Sequence, residues 1–399
     1  MTTTTLIVFS HLRWNFVYQR PQQLLSRLAS ERPVVFIEEP MGEAEQPWLE
    51  QSAPCPGVQV LRPHVIGPAR GFHPDHLEVV QELLGQYLRD HAIEHCLLWL
   101  YTPLALPFAS QLRPRGIVYD CMDELSAFRH SPPALIQREK ELFQVADVVF
   151  TGGPSLYEAK RKRHAEVHCF PSSVDSAHFG QVATCQDHPD QAGIAHPRLG
   201  YYGVIDERLD MDLIANLADA HADWQVVMVG PVVKIDQATL PLRPNIHWMG
   251  QRSYDELPQF LAGWDVCLMP FALNEATRFI SPTKTLEYLA AGKPAVSTPI
   301  RDVAEGYADV VSIAATPTEF VRACERILGR SATAQRAFER AAAKTIAATS
   351  WDRTVSAMAA LLDRFDCASA SKPVAASKVA APGKKPSAAA AALPAAAGR

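Results

Sequence analysis

Short apolar runs alternate along the chain with longer stretches in which apolar side chains recur every three or four residues, the pattern of a parallel sheet wrapped by helices. In the first half, Thr5 to Ser10, Val34 to Ile37, Cys96 to Tyr101, Gly116 to Tyr119 and Val148 to Thr151 read as strands. Helical stretches at Gln22 to Leu28, His76 to His91, Pro133 to Phe143 and Ser155 to Arg163 separate them. From Val174 to Pro197 the chain turns polar and aperiodic, punctuated by His188-Pro189, Gly193 and His196-Pro197, which predicts a linker. A second alternation follows. Its strands are expected at Leu199 to Val204, Gln225 to Gly230, Asn245 to Met249, Val266 to Pro270, Pro294 to Thr298 and Val310 to Ile313. Its helices are expected at Met211 to Ala220, Tyr254 to Leu261, Thr283 to Ala291 and Pro317 to Leu328, before a helical region from Ala332 to Phe365 interrupted at Ser350-Trp351.

The predicted class is therefore α/β, with two doubly wound, Rossmann-like domains facing each other across a cleft. Residues 1–175 form the first and 198–349 the second, 176–197 link them, and a helix at about 350–365 completes the first. Residues 367–399 mix Ala, Lys, Pro and Ser without period and hold too few large apolar side chains to offset the entropy of ordering, which predicts a disordered tail. Ligands of open α/β sheets bind beyond the carboxyl ends of the strands, so the chemistry is expected in the cleft.

Composition narrows the classes. A chain of 399 residues, 48% hydrophobic and 20% charged, is too long for one core and apolar enough for two. The net charge is −5, and five cations (Lys372, Lys378, Lys384, Lys385, Arg399) lie in the acid-free tail. The remaining body sets 33 basic residues against 43 acids and carries −10, which argues against a nucleic-acid partner. Eight scattered cysteines with no C-x-x-C pair read as reduced thiols. Neither a signal-peptide start nor an apolar run near the roughly 20 residues of a spanning helix is visible, so the expected location is cytoplasmic. The cationic tail leaves room for weak attachment to the inner face of the plasma membrane.

The densest candidate chemistry lies in Phe271 to Pro299. Ser281-Pro282-Thr283 precedes a helix that Gly292 closes, and a helix start facing the cleft offers amides to a phosphate. Lys284 in the first turn adds a full positive charge where a bare helix prefers acids, so its presence needs a reason. Glu287, one turn on, is placed to accept hydrogen bonds from a ribose diol. The alternative is a Lys284 and Glu287 surface pair beside an ordinary cap.

Here the chain resembles the GT-B glycosyltransferases, and within them the family 4 type. Glu287-Tyr-Leu-Ala-Ala-Gly-Lys-Pro-Ala-Val296 matches the second half of the family's double-acid signature, and the phrase Ser281-Pro-Thr-Lys-x-x-Glu-Tyr resembles a bacterial subgroup. The first acid is missing: Phe279 stands where spacing would put it, and Glu275 is the nearest acid upstream. The resemblance implies that Glu287 binds ribose, and Glu275 is the candidate to take over the sugar-binding role of the missing acid. Gly200-Tyr-Tyr-Gly203 through Arg208 resembles the glycine loop and basic residue that meet the diphosphate. Asn245 to Leu257, with Gly250 and Arg252, resembles the strand and turn beside the base. Phe170 to Phe179 resembles the interdomain phrase, and Ser350-Trp351 the last helix that crosses back.

Directly after the first strand, His11, Arg13 and Arg20 are candidates for phosphate or acceptor oxygens, against the alternative of a loop that packs Trp14 and Phe16. Asp120 and Asp123 follow the fourth strand of the first half and are candidates for proton handling or sugar hydroxyls. The alternative is a helix cap by Asp123.

The expected function is transfer of a sugar from a UDP- or GDP-type donor to a glycan or lipid-linked hydroxyl acceptor, with no cofactor and no required metal. Asp210-Met-Asp212 reads as first-turn acids and not as a metal site, and nothing around Lys234 supports pyridoxal phosphate. Retention of configuration is implied by the resemblance. A sugar-nucleotide epimerase of the same fold and a non-catalytic nucleotide-sugar binder are the rivals.

Overall fold

The computed structural model describes residues 4–366; the predicted disordered tail lies outside the described residues. In the first half the strands are β1 (Thr5–Ser10), β2 (Val34–Glu38), β3 (Trp48–Cys55), β4 (Val58–His64), β5 (Cys96–Leu100), β6 (Ile117–Cys121), β7 (Val148–Thr151) and β8 (Val167–Cys169). Helices α1 (Arg20–Leu28), α2 (Leu77–Asp90), α3 (Ala134–Val145) and α4 (Pro154–Lys160) connect them. A short helix, α5 (Ser176–Gly180), leads to the second half. There the strands are β9 (Arg198–Tyr202), β10 (Gln225–Val229), β11 (Ile246–Gly250), β12 (Val266–Met269), β13 (Ala295–Ser297) and β14 (Val311–Ile313). Its helices are α6 (Met211–Ala220), α7 (Leu257–Ala262), α8 (Thr283–Ala290), α9 (Arg301–Tyr307) and α10 (Pro317–Leu328), followed by α11 (Ala332–Ala347) and α12 (Trp351–Leu362).

Among the described residues these strands make two sheets. The first runs β3-β4-β2-β1-β5-β6-β7-β8, parallel apart from the β3–β4 hairpin at one edge. The second runs β11-β10-β9-β12-β13-β14, the doubly wound order in which the connection reverses beside the first strand. Both faces of the first sheet are covered. Leu6, Val8, Val34 and Phe36 pack under α1 and α12, and Ile7, Phe9, Val35 and Ile37 under α2. That two-sided burial is why these strands read as unbroken apolar runs.

Helix α12 belongs spatially to the first half. Trp351, Val355, Met358 and Leu362 join the cluster of Leu6, Val8 and Trp99. Arg32 holds its end through Asp363 and Asp366 at 2.5 Å each. The chain thus crosses the cleft twice, once at α5 and once before α12, which ties the halves together at one side.

Two expectations need correction. The hairpin β3–β4 and strand β8 were not expected, because β3 is largely exposed and polar and β8 is only three half-buried residues. The segment read as a polar linker is partly core: Phe179 and Gln191 are fully buried. Gln191 accepts the Trp264 indole N–H at 3.0 Å and donates to the Phe260 carbonyl at 2.9 Å. Its polarity serves a buried hydrogen-bond network, which periodicity does not register.

Gly200 in the middle of β9 lies against that same Trp264 ring, so any Cβ there would overlap the indole. Gly200→Ala should cost about 1–3 kcal/mol by overpacking, read as a lower urea midpoint at unchanged slope. A midpoint within error of the parent would show that Trp264 can move aside.

Candidate functional site

The carboxyl ends of β9, β10 and β12 face those of β1, β2 and β6 across the cleft, and α8 starts between them. Its buried face is Leu286, Tyr288 and Leu289, and Gly292 ends it in the left-handed region at φ 67°. Pro282 precedes the helix and supplies no side-chain cap, so the first-turn amides have no side-chain acceptor of their own.

Lys284 rises from this first turn onto Gly203. A Cβ at Gly203 would sit 2.6 Å from the ammonium nitrogen, and the backbone there has φ 136°, so both the approach and the conformation require glycine. The ammonium lies 5.4 Å from the centre of the Tyr201 ring and has no ion pair among the described residues. Burial pulls its pKa down to about 8, helped by Arg208 and opposed by Glu287 and Asp206.

Glu287 lies one turn along α8 and is buried; it accepts the Tyr202 hydroxyl at 2.6 Å. Burial raises its pKa, with Tyr202, Lys284 and Thr283 partly offsetting the effect. Arg208 grips Asp206 with two parallel bonds, Nε to Oδ1 at 2.9 Å and Nη2 to Oδ2 at 2.8 Å, and this pair holds the guanidinium charged despite desolvation.

Arg208, Thr283 and Lys284 stand between two adjoining chambers. One is lined by Tyr202, Gly203, Gly230, Gln251, Arg252 and Glu287. The other is lined by Arg20, Asp123, Ser172, Ile280 and Ser281. The loop after β1 covers the first chamber from the opposite half: Tyr18 stacks on Tyr254 at 4.5 Å, Gln23 donates to the Tyr254 hydroxyl at 2.9 Å, and Gln251 donates to the Phe16 carbonyl. Asp123 faces the second chamber. Desolvation lifts its carboxyl to about 6, against the pull of Arg208 and Arg20. A carboxylate in that range can exchange a proton near neutral pH.

The structure brings Gly203, Arg208, Arg252, Ser281, Thr283, Lys284, Glu287, Arg20 and Asp123 to these chambers. Gly250 closes β11 at φ 71° and its carbonyl accepts the Gly230 amide at 2.8 Å, so it shapes the turn that carries Gln251. Three further arginines are occupied by protein. Arg20 and Asp120 form a buried pair at 3.0 Å, and Arg20 also donates to the Phe170 carbonyl at 2.7 Å. The Asp120 carboxylate therefore anchors α1 to β6 instead of facing either chamber. Arg13 is bound to Glu38 at 3.0 Å and to the Glu39 carbonyl at 2.6 Å, at the edge of the cleft. Arg252 is paired with Asp190 at 2.7 Å.

Glu275 corrects the expectation most sharply. A reciprocal cap between Asn274 and Thr277 turns it outward, 75% exposed beside Arg278 at 3.4 Å, and it lines neither chamber. At the position of the missing acid, Phe279 packs against the apolar core of the first half. Sequence reasoning missed Tyr202, Asp206, Tyr18 and Tyr254. The Tyr201-Tyr202 doublet inside the glycine loop was the available signal for the first of these.

Residues 197–330 match the family described as Glycosyl transferases group 1. The chain is 27% identical over 260 residues to a Bacillus subtilis (strain 168) protein named putative teichuronic acid biosynthesis glycosyltransferase TuaH. The match covers 60% of this chain and 65% of that one. Among solved structures, a sucrose-phosphate synthase from Thermosynechococcus elongatus superposes with a TM-score of 0.68 at 15% identity, covering 92% of this chain and 100% of the other. Anabaena HepE in complex with UDP and glucose superposes with 0.65 at 13% identity, covering 90% and 99%. At these identities the likeness establishes the fold, which is GT-B: two Rossmann-like bodies across a cleft.

A pH dependence follows from Lys284. Its free-protein pKa of about 8 lies below the ordinary lysine value, and a bound diphosphate would hold the amine protonated. UDP affinity measured by calorimetry should be flat below pH 7.5 and fall as pH rises through 8 toward 9.5, by roughly tenfold or more. An affinity that is constant over that range would show that Lys284 does not meet the anion.

Proposed function

We propose that the chain is a glycosyltransferase that moves a sugar from a nucleotide diphosphate donor to a hydroxyl acceptor in bacterial polysaccharide or glycolipid synthesis. The carrying observation is the unpaired, desolvated Lys284 ammonium at the start of α8, with Arg208 beside it and Glu287 one turn away. On this reading the diphosphate sits over the α8 amides between Lys284 and Arg208, and Arg208 turns from Asp206 to the phosphate. Glu287, held by Tyr202, accepts from the ribose, with the base lying toward Gly250 and Gln251. The sugar occupies the second chamber, where Asp123 accepts a sugar hydroxyl or the proton of the incoming acceptor.

Negative charge grows on the departing diphosphate as the glycosidic bond breaks. Fixed cations and helix amides aimed at that charge stabilise the transition state more than the ground state. Two cations and a helix N-terminus suffice for this without a required metal, and retention of configuration is part of the proposal. The match over residues 197–330 and the named Bacillus subtilis relative support the transferase reading, and the UDP and glucose held by HepE support a UDP-sugar donor. The acceptor half of the cleft suits a glycan or lipid-linked hydroxyl. No helix among the described residues is long and apolar enough to cross a membrane; attachment to a membrane surface is a further part of the proposal.

Incubation with labelled UDP- and GDP-sugars and a glycan or polyprenyl-linked acceptor mixture should give a glycosylated product. Lys284→Ala should lower kcat/KM by roughly 10- to 150-fold, the worth of a charge-assisted contact. An isomerised nucleotide sugar with no transfer would favour the epimerase, and binding without turnover the silent binder. Activity should persist in EDTA; loss on chelation with rescue by Mg²⁺ or Mn²⁺ would overturn the metal-free mechanism.

A further inference from the structure

Lys234 takes no part in the donor site described above. It sits in the loop after β10 with φ 62°, a left-handed conformation that costs a non-glycine residue energy and persists only where surroundings enforce it. The loop is pinned on both sides. Val233 donates to the Ile205 carbonyl at 3.0 Å, and Ile205 and Val232 form a bridge. The enforced turn carries the Lys234 ammonium across the cleft to the Phe128 ring of the other half, 5.4 Å from its centre. Arg208 lies over the same ring at 5.6 Å, so Lys234 borders the donor site. Among the described residues Lys234 has neither an ion pair nor a hydrogen bond.

Opposite it stand two polar groups without partners. Strands β1 and β2 pair in parallel with Ser10 opposite Glu38, which sets His11 and Glu39 side by side at the carboxyl ends. His11 Nδ1 is buried and unbonded, and among the described residues the Glu39 carboxylate has no hydrogen-bond partner, only the charges of Arg13 and Lys234 within reach. The charge of Lys234 is felt at both. His11 is pushed down to about 4, first by burial and then by Lys234, and Glu39 is pushed up to about 7 by burial against the opposing pull of Arg13 and Lys234. Below pH 7 this cluster is an ammonium without an ion pair, flanked by a neutral imidazole and a mostly protonated carboxylic acid, with Asp123 the further acid that feels its charge. All three can donate hydrogen bonds to an anion in these protonation states.

We propose that His11, Glu39 and Lys234 form an acceptor subsite that takes an anionic substituent, a carboxylate or a phosphate, on the acceptor sugar. This rests on the transferase reading, which supplies the need for an acceptor beside the donor chamber. The anion takes the charge of Lys234, and His11 and the Glu39 acid donate to its oxygens. Phe128 offers an apolar face to the sugar ring between the subsite and the diphosphate.

The test uses the full chain saturated with UDP and three probes: glucose, glucuronate and glucose 6-phosphate. Binding is followed by saturation-transfer NMR at pH 6.5. One of the two anionic probes should bind about tenfold more tightly than glucose or better, and which of them does so identifies the substituent. Lys234→Met should reduce that preference to within twofold, and Lys234→Arg should keep most of it. Preference should also weaken between pH 6.5 and 8 as Glu39 ionises. Equal binding of glucose and both anions by the parent, or a preference that survives Lys234→Met, would overturn the subsite. UDP titration of the same samples separates the two ideas: failure to bind UDP counts against the transferase reading, whereas UDP binding without anion preference counts against the subsite alone.

Discussion

An ammonium group partly withdrawn from water and holding no ion pair is costly, and a helix N-terminus makes the position worse for a cation. Lys284 is in that position, and much of the second half of the molecule is arranged around it. Gly203 omits its side chain to admit the lysine stem, Tyr201 lends the ammonium its ring, and Glu287 stays buried one turn away under the Tyr202 hydroxyl. The doubly wound strand order places the reversal of connection beside β9, so the Gly203 loop and α8 converge at one opening. An anion bound at that opening would relieve the cost that the empty protein carries.

The opposing half makes the opening a cleft. Arg129 and Glu207 bridge it at 3.1 Å, Asp302 accepts from the Ser155 amide at 3.0 Å, and Tyr18 covers the Glu287 chamber on Tyr254. The buried Arg20–Asp120 pair fixes α1 to β6 and thereby aims the covering loop, because removing either partner would strand a buried charge. Helix α12 fastens the far side. These contacts wall the chamber that Arg208, Asp123 and Lys284 line from both halves. The Tyr18–Tyr254 stack and the Gln251 bond to Phe16 lie over the chamber that Glu287 lines.

The alternation of apolar runs and helical periods was enough to place the two sheets, because strands buried on both faces leave an unmistakable record. The hairpin β3–β4 left none: its exposed, polar first strand carries no apolar signal, and its pairing depends on β2 being there to receive β4. Lys284 stood out because a basic residue in a first helical turn is a locally unfavourable choice, Glu287 because it lies one turn on along the same helix, and Arg208 only through the resemblance of its glycine loop. Glu275 was misread: it is the nearest acid to the gap at Phe279, but the Asn274–Thr277 cap, a purely local hydrogen-bond choice, rotates it to solvent. Asp120 was misread because its partner lies 100 residues away, and no one-dimensional pattern reports a pair of that separation.

The most direct measurement is of the Lys284 amine itself, followed by the ¹³Cε resonance in protein labelled at lysine, with Lys284→Arg for assignment. The account predicts a pKa near 8 in the free protein and a rise of more than one unit when UDP is bound, because the anion stabilises the charged form. A free-protein value near 10.5 that does not move with UDP would contradict it, and would make Lys284 an ordinary solvated lysine at the mouth of the cleft.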